Sequence, residues 1–76
     1  MTLQELDGLN NIQLARLALS AKLKTMNSFE LLAEKVADKE LSKKLLDMVK
    51  EEEVHIGELS MYLLENDPNL SEEEPE

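Results

Sequence analysis

Apolar residues recur three or four positions apart through most of the chain, and no stretch alternates with the period of two that a strand requires. From Asn11 to Val36 there is no glycine or proline, and Ile12, Ala15, Leu19, Leu23, Met26, Phe29, Ala33 and Val36 mark one face. Leu14, Leu17, Ala21 and Leu32 widen that face beyond what a single partner helix covers. A second periodic run passes through Leu41, Leu45, Met48, Glu52, His55, Ile56, Leu59 and Leu63 before Asp67-Pro68 stops it. Asn10 or Asn11 can cap the first run, and the carboxylate of Asp38 can cap the second at the amides of Glu40 and Leu41. The link around Ala37-Asp38-Lys39 is short, which makes the two helices antiparallel neighbours. The pattern predicts an all-α fold: a two-helix hairpin over about 11–37 and 39–65. Residues 1–10 form an N-terminal arm or short helix, so the domain runs over 1–66, and 67–76 form an acidic, disordered tail.

One hairpin cannot bury both faces of helices this long. A domain near 60 residues buries only about 60% of its unfolded surface and is marginal. The wide stripe therefore predicts a homo-oligomer, a dimer or higher, in which two hairpins pair into a four-helix bundle. The simpler alternative is a third helix from residues 2–9 folding over the hairpin.

Charge and composition narrow the function. The net charge is −9 over 76 residues, which argues against a nucleic-acid partner, since that needs a basic face. Residues 1–50 carry seven acids and eight bases, whereas residues 51–76 carry ten acids and no base. The natural partner of that last third is a cation or a basic protein surface. There are no cysteines, so disulfides, thiolate zinc sites and a cysteine nucleophile are excluded. No apolar run approaches the roughly 20 residues of a membrane span, and a cytoplasmic protein without a membrane partner is expected.

One constellation breaks the apolar pattern. Glu52 stands where the second helix should present a core residue, and His55 follows about one turn later beside the same stripe. Glu-x-x-His places a carboxylate and an imidazole within reach of one cation, with iron, manganese or zinc preferred over calcium. The spacing also arises by chance in Glu-rich helices, and His55 has Glu51 and Glu58 as alternative partners one turn away. With the turn centred near residue 37, Glu52 sits level with Lys22, which interrupts the first stripe between Leu19 and Met26. A carboxylate facing an ammonium is an ion pair or one half of an altered metal site.

The segment from Phe29 to Leu45, with Ala33-Glu34-Lys35 before the turn, resembles the helix-turn-helix of rubrerythrin-type ferritin-like proteins. The following Glu51-Glu52-Glu53-Val54-His55-Ile56-Gly57-Glu58-Leu59 is similar to their Glu-Glu-x-x-His signature. Size and the ending near Glu65-Asn66-Asp67-Pro68 resemble the single-hairpin encapsulated ferritins in particular. That resemblance implies a ferritin-like four-helix bundle completed by a symmetric partner, with an encapsulating shell as a further partner. It implies Glu52 and His55 as metal ligands, iron first and zinc or manganese as alternatives, and ferroxidase-like activity. The family's first-helix Glu falls at Lys22, and a common Tyr is Phe29 here. Di-iron oxidase chemistry is therefore expected to be weakened or lost, and the chain is expected not to be catalytic. The competing expectation is a metal-free dimerisation or adaptor module, held by a Lys22–Glu52 ion pair and binding a basic partner through its acidic last third.

Overall fold

A computed structural model describes residues 1–71 of the chain. Among the described residues four helices follow in order: α1 (Leu3–Leu6), α2 (Asn11–Lys35), α3 (Lys39–Asn66) and α4 (Pro68–Ser71). The two long ones form the expected antiparallel hairpin, and no strand is present among the described residues.

Local chemistry sets the boundaries. Asn10 caps α2 in a reciprocal box: its side chain accepts the Gln13 amide at 2.8 Å, and its own amide donates to the Gln13 side chain at 2.9 Å. Asp38 caps α3 as its position predicts, accepting the amides of Glu40 at 2.9 Å and Leu41 at 3.4 Å. Thr2 and Glu5 build a second box at the start of α1. Gly8, at φ +88, turns the chain from α1 into α2, a conformation that side chains other than glycine adopt at a cost. Ser42 on α3 donates its hydroxyl to the Ala33 carbonyl at 2.9 Å, tying the helices together beside the turn.

The core is thin. Among the described residues Ala33, Val49 and Leu63 are the buried apolar side chains, while Leu19, Met26, Phe29, Leu45, Ile56 and Leu59 are half-buried along the seam. The molecule is a slab 46 × 40 × 14 Å, a single layer of helices with both broad sides open. Its radius of gyration is 16.1 Å, against about 11 Å for a compact domain of this length. It exposes 6194 Å², against about 4,700 Å² for a folded monomer of 8.6 kDa.

The C-terminal boundary differs from the sequence expectation. The charge pattern places Asp67 in a solvated tail, yet it is 2% exposed and forms an ion pair with Arg16. The residues after it continue as α4, with the Asn69 amide donating to Asp67 at 3.0 Å. Burial of this one acid has a physical cause. Side chains of a helix lean toward its N-terminus, so Arg16 reaches from the first turns of α2 toward the place where α3 ends. Residues 72–76 of the expected tail lie outside the described residues.

Candidate metal centre

The centre of the hairpin holds the only break in its seam that the sequence singles out. Lys22 lies near the middle of α2 and Glu52 near the middle of α3, and the register expected from the turn brings them together. Lys22 Nζ is 3.0 Å from Glu52 Oε1. His55 Nδ1 approaches the same oxygen at 3.3 Å. The imidazole thus turns to Glu52, whose carboxylate Lys22 holds in place, rather than to Glu51 or Glu58.

The cluster is partly open. The Glu52 side chain is 14% exposed, that of Lys22 38% and that of His55 48%. The expected buried pair is therefore a pair at the rim of the seam, open on one broad side of the slab. That side carries Leu41, Met48, His55 and Tyr62, each seven residues after the last, with all four side chains solvent-exposed. Leu32 of α2 continues it, 50% exposed.

Electrostatics favour the ionised carboxylate. The Lys22 hydrogen bond holds Glu52 below its usual carboxylate range; partial burial opposes this, and the His55 contact adds to it. A depressed folded value means the group stabilises the fold above the unfolded value, near 4.5, and that this contribution is lost as pH falls through the lower folded value. Glu52→Gln is expected to flatten the acid limb of the stability profile. Thermal midpoints of parent and variant measured between neutral and acidic pH check this, and parallel curves would refute it.

The donor set does not fit a di-metal centre within one chain. Among the described residues no group of three or more His, Asp or Glu side chains converges. Glu52 and His55 provide two donors, and the third neighbour is an ammonium, which cannot ligate while protonated. Two copies meeting at this cluster would supply two carboxylates and two imidazoles, enough for one ion once both ammonium groups withdraw. The sequence missed Arg16 and Asp67: nothing in the spacing distinguishes Asp67 from the acids that follow it.

Fold and site together define an all-α helical hairpin with a Lys-Glu-His cluster at its centre. No protein-family model matches the chain, and no solved structure matches it. Over 57 residues it is 39% identical to the ferritin-like-encapsulin shell fusion protein of Pyrococcus furiosus. The match covers 75% of this chain and 16% of that protein, so the chain spans only a small part of its relative's length. No described helix is long and apolar enough to cross a membrane.

Proposed function

We propose that this chain is half of a ferritin-like four-helix bundle that works with an encapsulin-type shell, and that a second copy covers the side onto which Lys22, Glu52 and His55 open. The likeness to the fusion protein supports the ferritin-like and shell-associated parts. The exposed area supports pairing: each chain shows about 1,500 Å² more than a compact protein of its mass, so a pair has about 3,000 Å² to bury, the scale of an obligate dimer.

At the centre, Lys22 supplies the positive charge that a cation would otherwise bring. The observation that carries this is the 3.0 Å contact between Lys22 Nζ and Glu52 Oε1. On this reading the bundle is a structural relative of metal-binding ferritin-like proteins, with no oxidase chemistry of its own.

A second reading keeps the metal. Iron, or zinc or manganese, binds between Glu52 and His55 of two copies, and the flexible Lys22 stem carries its ammonium aside. The half-exposed His55 on the open side favours it. Metal analysis of protein purified anaerobically from iron-replete cells, with mass measured by light scattering, separates the two. A metal-free dimer supports the first reading. A dimer holding one ion, released by His55→Ala, supports the second. A monomer without metal overturns both.

A further inference from the structure

Asp67 is the one buried polar side chain among the described residues, and the central cluster makes no use of it. It lies between α3 and α4 and is followed by Pro68, the first residue of α4. Three contacts fix it. Its amide donates to the Leu63 carbonyl at 2.8 Å, its Oδ1 accepts the Asn69 amide at 3.0 Å, and its Oδ2 pairs with Arg16 Nη2. Neither side-chain oxygen is left without a donor.

The bond from Asp67 to Pro68 differs chemically from the others in the chain. No other Asp precedes a Pro. A carboxylate is a nucleophile, and this one can close a five-membered ring on the carbonyl carbon of its own residue. The nitrogen across that bond belongs to a tertiary amide without a hydrogen, and it accepts a proton more readily than a secondary amide does. An oxygen of Asp67 attacks the Asp67 carbonyl carbon and forms a cyclic anhydride. The C–N bond breaks, its electron pair stays on the Pro68 nitrogen, and that nitrogen takes a proton from solvent and leaves as a secondary amine. Water then opens the anhydride, restoring the side-chain carboxyl and leaving a main-chain carboxyl at Asp67. The net change is hydrolysis by one water. Nucleophile and target share one residue, so the step has the advantage of an intramolecular reaction.

The fold holds this reaction back. The attacking oxygen must leave Arg16 or the Asn69 amide, and water has little access to a side chain 2% exposed. Arg16 is the movable part. Its side chain is 53% exposed and reaches Asp67 across 51 positions of sequence, whereas the Asn69 amide stands two residues away. We infer that Asp67–Pro68 is a self-cleavage site that the Arg16 guanidinium keeps closed. When Arg16 swings away, oxygen and carbonyl carbon can meet, and the products are a hairpin ending at Asp67 and a fragment 68–76. The fragment takes Glu72, Glu73, Glu74 and Glu76 with it, so the hairpin left behind is less acidic. Cleavage needs one chain alone and does not depend on how copies assemble.

Intact-mass spectrometry of the full chain over time tests it, at one mildly acidic pH and a temperature where circular dichroism shows parent and variants folded. The parent is expected to stay whole. Arg16→Ala is expected to release fragment 68–76 about 100-fold faster, since cleavage follows the population of the open pair and loss of a buried charge partner raises it by about that factor. Arg16→Lys keeps the charge without the planar fork and is expected to fall between the two. Val49→Ala weakens the core but leaves the pair intact, and is expected to match the parent. In denaturant the parent and Arg16→Ala are expected to cleave at equal rates, and Pro68→Ala is expected to abolish release from either. A folded Arg16→Ala variant that cleaves no faster than the parent overturns the proposal, as does Arg16→Lys at the parent's rate where Arg16→Ala does not fold. A Val49→Ala variant that cleaves as fast as Arg16→Ala, or a parent that stays whole in denaturant, overturns it too.

Discussion

Arg16→Ala is expected to lower the unfolding midpoint by about 12–24 °C. Asp67 is the most buried side chain described, at 2% exposure, and Arg16 supplies its charge partner from 51 positions away in sequence. Removing one member of a buried pair leaves the other uncompensated, at a cost of about 3–5 kcal/mol. Here the lower end applies, because the Arg16 side chain is 53% exposed and water already weakens the attraction. For a domain of this size 1 kcal/mol moves the midpoint by about 4–8 °C. The converse change is milder. Asp67→Asn leaves a half-solvated guanidinium and still accepts the Asn69 amide, so a loss near 1 kcal/mol is expected. Thermal unfolding by circular dichroism compares the two. Equal losses would show that the burial of Asp67 does not set the cost.

Lys22→Glu is expected to make the stability of the protein depend on metal. The substitution replaces the ammonium 3.0 Å from Glu52 with a second carboxylate, and two close carboxylates resist joint ionisation. Without metal the midpoint should fall. With iron(II), zinc or manganese it should rise again, since the introduced carboxylate joins Glu52 and His55 to complete a set of three oxygen and nitrogen donors. A ligand at about 100 times its Kd stabilises by about 2.7 kcal/mol, or roughly 10–20 °C here. The parent should shift little, because its ammonium already supplies the positive charge. Thermal scans with and without each metal, together with bound-metal analysis, check both arms. A variant that folds and ignores metal would show that the cluster lacks the geometry of a cation site.

Both substitutions probe long-range pairs, yet only one of those pairs was legible in the sequence. Lys22 and Glu52 each interrupt an apolar stripe, and a short turn fixes which positions stand level. Two local signals therefore sufficed to bring them together. The partner of His55 was less legible, because Glu51, Glu52 and Glu58 all lie within one turn of it. The choice of Glu52 depends on where Lys22 holds that carboxylate.

By itself the sequence determined the hairpin. Uninterrupted helix formers, a 3.6-residue apolar period and the side-chain caps of Asn10 and Asp38 are all local, and local interactions can be read from neighbouring residues. It also determined the candidate ligands Glu52 and His55 and the departure at Lys22. Only the tertiary structure decided that Asp67 leaves the acidic tail for a buried pair with Arg16. Burial depends on which elements meet, and neither residue carries a pattern that announces the other. The tertiary structure also showed the central cluster to be open at the rim, where the apolar pattern alone implies a sealed pair. A single layer of two helices covers only one side of any residue on its seam, so the other side is left for whatever packs against the slab.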